Sequence, residues 1–148
     1  IAAINIRARQ RVIDVVRGEL SEDLTQYKIA VLGATFKPDS DDVRDSPALD
    51  IAAQLQAAGA IVVVHDPQGI EPARKRFPNL EYQEVVTDAL KDADLILHLT
   101  EWKEYRQIDP AAIASLVKSK IIIDGRNMLD RTLWRKAGWK FHALGRTD

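Results

Sequence analysis

Apolar residues recur at helical spacing from Ile1 to Gly18. Ile1, Ile4, Ala8, Val12 and Val15 form one stripe, and Ile6, Ile13 and Leu20 form a second at intervals of seven. Arg7, Arg9, Arg11 and Arg17 fill much of the remainder, and Arg7, Arg9 and Arg11 read as the wet face of the helix. No Ser, Thr, Asp or Asn precedes the pattern as a cap, so this is expected to be the end of a longer helix, with Gly18 as its stop. Residues 21–26 form a polar connector. From Lys28 onward the pattern changes. Apolar runs at 29–32, 61–64, 95–97 and 121–123 are continuous rather than alternating, the mark of parallel strands covered on both faces. Helical patterns separate them. Residues 48–58 are the clearest, with Pro47 in the first turn and Gly59 just past the end. Others cover 70–76, 88–91, 110–117 and 131–137, and a last strand is expected at 139–142. This alternation predicts an α/β fold: a Rossmann-like, doubly wound parallel sheet in three α/β/α layers, preceded by an N-terminal helix.

Composition narrows the function classes. The 148 residues include 22 acidic and 21 basic side chains, for a net charge of −1. That balance leaves no footprint for nucleic acid or an anionic membrane surface. No apolar run approaches the roughly 20 residues of a membrane span, and no signal-peptide pattern opens the chain. The absence of Cys excludes, within this chain, a disulfide framework, a thiolate zinc site and a cysteine nucleophile. A cytoplasmic setting is compatible with that composition. Because the chain opens on Ile1 inside a helical pattern, it is expected to be a fragment or a processed product.

Ligands of open α/β sheets bind beyond the carboxyl ends of the strands. The first strand runs into Gly33 and then a long polar loop. The second ends in His65-Asp66-Pro67, the third in Leu99-Thr100-Glu101-Trp102 and the fourth in Asp124-Gly125-Arg126-Asn127. Lys37 and Arg126 therefore share one edge of the sheet, and such a pair suits a phosphate or diphosphate. The loop lacks the three glycines of a dinucleotide fingerprint and the Gly-Lys-Ser/Thr of a P-loop. Asp66, followed by Pro, reads as a turn former rather than a ribose-binding acid. A Rossmann-type NAD site is not expected in this domain. The loop at 35–45 has the length and polarity of a functional segment. Its Asp39, Asp41, Asp42 and Asp45 lack the Gly and terminal Glu of a calcium loop and read as a solvated cluster. His65 and His98 lack a third metal ligand. Trp102, Trp134 and Trp139 read as packing residues.

The run Gly33-Ala34-Thr35-Phe36-Lys37-Pro38-Asp39-Ser40-Asp41-Asp42-Val43-Arg44-Asp45-Ser46-Pro47 resembles the signature loop of the UDP-glucose/GDP-mannose dehydrogenase family, in its C-terminal, UDP-binding domain. His65-Asp66-Pro67, Leu99 to Trp102, Asp124 to Asn127 and the segment 138–146 match further motifs of that family in the same order. The resemblance implies a four-electron oxidation of UDP-glucose to UDP-glucuronate with two NAD. It also implies an N-terminal Rossmann domain for NAD, a long central helix at a homodimer interface and a C-terminal domain for the substrate nucleotide. Residues 1–20 would be the end of that helix and 21–148 the UDP-sugar-binding domain. Carried over by position, Phe36 and Lys37 would touch the UDP-sugar, Arg126 would be its second anchor, and Arg44 would reach across the cleft to NAD. Glu101, Trp102 and Asp124 would shape the site.

The family's chemistry also needs a Cys that forms a thiohemiacetal and then a thioester, with a Lys and an Asp nearby, all N-terminal to the central helix. This chain holds none of that region. It is expected to contribute no catalytic residue, and to bind UDP-glucose or UDP-glucuronate without turning it over. Members acting on UDP-N-acetylmannosamine or GDP-mannose share the architecture, and the loop favours UDP-glucose. A stand-alone regulatory module is the contrasting reading. A phospho-receiver wants an acidic pair directly after the first strand and a Lys after a late one. Here the acids come well after Gly33, and the late strand leads into Asp124-Gly125-Arg126. A third reading, an interaction domain built on the N-terminal helix, is compatible with the dimer.

Overall fold

The computed structural model describes residues 6–144. In chain order the elements are α1 (Ile6–Glu19), β1 (Lys28–Leu32), α2 (Pro47–Ala57), β2 (Ile61–His65), α3 (Ile70–Arg76), β3 (Glu81–Tyr82), α4 (Val86–Leu90), β4 (Leu95–His98), α5 (Lys103–Arg106), α6 (Pro110–Ile113), β5 (Ile121–Asp124), α7 (Arg131–Lys136) and β6 (Lys140–Ala143). The strands form one sheet in the order β3-β2-β1-β4-β5-β6, with every pair parallel. The expected three-layer, doubly wound fold is what forms. The winding reverses between β1 and β4, so the crevice at the sheet's switch point lies between the loops that follow these two strands.

Alternate residues of the central strands face two separate cores. Ile29, Val31, Val62, Val64, Leu95 and Leu97 pack with α1 and α2 through Val12, Ile13, Val16, Leu49 and Leu55. Ala30, Leu32, Ile96 and Ile122 face the other side, where Leu90, Trp102, Tyr105, Trp134 and Trp139 cover them. The three tryptophans are packing residues, as read from the sequence, and Trp134 meets Trp139 edge-to-face at 4.8 Å. The start of α2 follows from chemistry: Pro47 has no N–H to lose in the first turn, and the Ser46 hydroxyl accepts a hydrogen bond from the Leu49 N–H at 3.2 Å.

Several elements differ from the sequence reading. β3 and α5 carry no periodic signal, because one is a two-residue edge strand and the other a single turn. The helix expected at 110–117 stops at Ile113. Beyond it, the Leu116 carbonyl accepts from the Asp92 N–H at 2.8 Å and the Lys118 N–H donates to the Ala93 carbonyl at 2.8 Å, so the chain is drawn to the start of β4. α4 begins at Val86 rather than 88, and α1 continues through Gly18 to Glu19. Arg9 is not on a wet face: its Nη1 pairs with the Asp50 carboxylate at 2.9 Å and ties α1 to α2. Ile6 is 83% exposed. Ile1 and Ile4, and Gly145 and Arg146 of the last motif, lie outside the described residues.

Candidate functional site

Gly33 closes β1 at φ +113°, and a Cβ there would fall 2.4–2.5 Å from Thr100 atoms, so the loops after β1 and β4 touch backbone to side chain. The Gly33 N–H donates to the His65 carbonyl at 2.8 Å. Beside it lies Asp66, whose carboxylate is 3% exposed at the end of β2. Its Oδ2 accepts from the Ala34 N–H at 2.8 Å, the Thr35 N–H at 3.1 Å, the Trp102 indole N–H at 3.1 Å and the Thr35 hydroxyl at 3.3 Å. Its Oδ1 accepts from the Gln68 and Gly69 N–H groups at 2.9 and 2.7 Å. Asp66 does form the turn expected of it, but it also clamps the β1 loop. The amides after a first Rossmann strand are where a dinucleotide's pyrophosphate is received. Here an internal carboxylate already sits on them, and the residues present do not fit an NAD pyrophosphate.

The rest of the loop is tied down at both ends. The Thr100 hydroxyl donates to the Thr35 carbonyl at 2.8 Å, and the Ser46 hydroxyl donates to the Ala34 carbonyl at 2.7 Å. The Phe36 N–H donates to the Asp42 carbonyl at 2.9 Å. Asp39 and Asp45 take left-handed φ of 61° and 52°, which Asp tolerates better than most residues. This leaves Phe36 38% exposed and Lys37 exposed, with no ion pair to Lys37 among the described residues. Asp42 stays solvated and carries an exposed ion pair. The Arg44 Nε and Nη2 sit on its two carboxylate oxygens at 3.1 Å each. That side-chain contact, with the Arg44 backbone N–H, holds the Asp42 carboxyl down at about 2. Arg44 itself stays 74% exposed on the far limb of the loop.

Arg126 is set by a second buried carboxylate. Asp124 Oδ1 accepts from the Arg126 and Asn127 N–H groups at 3.0 Å each and lies 2.8 Å from His98 Nδ1. Its Oδ2 accepts from the Met128 and Leu129 N–H groups at 2.9 and 2.8 Å. Burial pushes this carboxyl up, but the His98 contact and the backbone donors outweigh it and hold it below the ordinary value. The Arg126 side chain lies against Glu101 of the β4 loop, with Nε 2.9 Å from Oε1 and Nη2 3.2 Å from Oε2. Thr100 thus grips the loop that carries Phe36 and Lys37, while the next residue, Glu101, grips Arg126. The structure gathers these three on one edge and leaves Arg44 apart on the outer limb.

The two strand-end histidines have other partners. His65 Nδ1 lies 2.8 Å from the Tyr105 hydroxyl, and burial pushes the His65 imidazole below its ordinary value. Burial also pushes the Tyr105 phenol well up. Among the described residues no group of three or more His, Cys, Asp or Glu side chains converges as a metal site, and no helix is long and apolar enough to cross a membrane. Sequence reasoning missed the Asp66 clamp and the Glu101–Arg126 pair. A signal for the second existed: β4 and β5 are neighbours in the register His98 to Asp124, so residues shortly beyond each must meet.

The strand order and the crevice at the switch point define a Rossmann-type α/β class of domain. Residues 30–131 match the UDP-glucose/GDP-mannose dehydrogenase family, UDP binding domain. The chain belongs to that family. It is 40% identical over 126 residues to a UDP-glucose 6-dehydrogenase of Rhizobium meliloti (strain 1021), a match covering 85% of this chain and 29% of that one. It is 39% identical over 143 residues to a UDP-glucose 6-dehydrogenase of Rickettsia conorii, covering 95% and 33%. Among solved structures, a UDP-glucose dehydrogenase from the archaeon Pyrobaculum islandicum superposes with a TM-score of 0.77 at 26% identity, covering 96% of this chain and 31% of that one. The chain spans about a third of the length of these relatives.

Proposed function

We propose that this chain holds the UDP portion of UDP-glucose for an NAD-dependent dehydrogenase that oxidises it to UDP-glucuronate in two hydride transfers to two NAD. The observation that carries the reading is that the loops bearing Lys37 and Arg126 are tied to adjacent residues, Thr100 and Glu101, of the β4 loop at the switch point of the sheet. Lys37, which has no ion pair among the described residues, supplies positive charge for the diphosphate, and Arg126 supplies directed donors as a second anchor. Phe36 offers an exposed ring for the apolar face of a sugar or base. Because the amides of Ala34 and Thr35 are committed to Asp66, NAD rests on the remainder of the protein, and Arg44 reaches toward it from the outer limb.

Residues 21–148 form the UDP-sugar-binding domain in this reading. In the same reading α1 is the end of a central helix that pairs with a second copy, in a cytoplasmic enzyme. The chain binds without catalysing, since the cysteine chemistry of the family has no residue here. Grip on the remote nucleotide positions the reacting C6 carbon and helps close the cleft. Calorimetry of the chain with UDP tests the proposal. Lys37→Ala and Arg126→Ala should each weaken binding by roughly 1.5–3 kcal/mol, the worth of a hydrogen bond to a charged group. Equal affinity in the parent chain and both variants refutes the site. Tighter binding of GDP than of UDP favours the GDP-mannose members instead.

A further inference from the structure

Glu101 offers Arg126 a specific edge. Its two oxygens meet Nε and Nη2, the side edge of the guanidinium, at 2.9 and 3.2 Å. An Arg side chain carries five N–H donors in a rigid fork. Nη2 commits one N–H to Glu101 Oε2, Nε sits beside Oε1 as a close ion pair without a hydrogen bond, and the two N–H groups on Nη1 with the remaining one on Nη2 form the free end of the fork. Both side chains are largely shielded, at 17% and 22% exposure, and Asp124 fixes the backbone from which Arg126 springs. Charge alone gives no reason to place a carboxylate here, because it cancels the attraction of Arg126 for an anionic nucleotide.

We infer that Glu101 is a positioning residue: it holds the guanidinium side-on, so that the end of its fork meets acceptor oxygens of the nucleotide sugar. The inference rests on the UDP-site reading above. Orientation and electrostatics make opposite predictions for its removal. In Glu101→Ala the site becomes more positive by one charge, and attraction alone makes UDP bind more tightly. If Glu101 orients Arg126, the same change weakens binding, because Arg126 must then be ordered on association. Ordering one long side chain corresponds to about a 2- to 12-fold rise in Kd.

The experiment is calorimetric titration of UDP into the parent chain, Glu101→Ala, Glu101→Gln, Arg126→Ala and the Glu101→Ala/Arg126→Ala double variant. Thermal melting runs alongside to confirm that each is folded. Glu101→Gln keeps one acceptor and the side-chain length, so it should fall between the parent and Glu101→Ala although its charge equals that of Glu101→Ala. On the Arg126→Ala background, removing Glu101 should cause no further weakening. Binding by Glu101→Ala that matches or exceeds the parent overturns the inference and leaves the UDP site standing. So does equal weakening by Glu101→Ala with Arg126 present or absent. If the parent chain itself shows no binding at millimolar UDP, the site reading fails and takes the inference with it.

Discussion

Replacing Asp66 with Asn keeps the shape of the side chain and changes only its hydrogen bonding. The carboxylate accepts four donors on Oδ2 and two on Oδ1, all within 2.7–3.3 Å. An amide has a single acceptor oxygen. If that oxygen stays on the Ala34, Thr35 and Trp102 side, the new NH2 group faces the Gln68 and Gly69 N–H groups, donor against donor. Gln68 is exposed and turns to water, but Gly69 is buried. The change therefore removes one hydrogen bond to a charged group, worth roughly 1.5–3 kcal/mol, and strands a buried N–H at about 1–3 kcal/mol. The sum, about 2.5–6 kcal/mol, is a large share of the roughly 5–15 kcal/mol that holds a domain together. Urea unfolding followed by tryptophan fluorescence measures it directly, since the Trp102 indole donates to Asp66. The midpoint should fall with an unchanged m-value, and Tm should drop by roughly 10 °C. A loss below about 1 kcal/mol refutes the claim that this carboxylate organises the loop.

Gly33→Ala should cost more than about 2 kcal/mol, because it combines a strained φ with a collision against Thr100; a urea midpoint close to that of the parent contradicts the close approach of the two loops. Arg44→Ala should let the Asp42 carboxyl rise from about 2 toward 3.8, read by NMR titration of its carboxyl carbon. An unmoved titration removes the Arg44–Asp42 contact from the solution structure. His65 is held neutral by burial, so its folded pKa lies below the unfolded value of roughly 6.5. As pH falls through that value the unfolded chain takes up the proton first. The stability that His65 contributes is thus fully present above about pH 6.5 and is lost as pH falls toward the folded value. Urea denaturation between pH 5 and 8 should show this slope in the parent and less of it in His65→Phe; equal slopes assign it to other groups.

The sheet was legible because its strands are buried on both faces and need continuous apolar runs, which 29–32, 61–64 and 121–123 supply without interruption. Helix α2 was legible because Pro47 and Gly59 mark its ends chemically. β3 and α5 were not, since two residues and one turn are too short to express a period. Of the candidate site, Lys37 and Arg126 were placed on one edge by topology alone. Their restraints escaped because Asp66 and Glu101 act on residues 25 or more positions away: Asp66 on Ala34, Glu101 on Arg126. A residue that looks like a turn former from its neighbours can carry a second, tertiary role, and only the strand order shows which loop it meets. Arg9 illustrates the same limit, since its partner Asp50 lies 41 residues on.

Asp66 also explains how a Rossmann strand order can serve a ligand other than a dinucleotide. The crevice at the switch point exists because β1 and β4 part company there, whatever the loops contain. A glycine-rich first loop leaves its amides open, and an incoming phosphate supplies their missing acceptor. In this chain the loop keeps one glycine, and the acceptor comes from the neighbouring strand β2. In the proposed function, anion recognition passes from backbone amides near the sheet to side chains further out on the loops, Lys37 and Arg126. That proposal has them meet a ligand lying across the crevice rather than one seated at the helix N-terminus. Asp66 and Asp124 keep those outer loops from relaxing, because each satisfies donors on several loop residues at once. Two buried carboxylates thus do by internal bonding what a bound phosphate does in a dinucleotide site, and they do it before any ligand arrives.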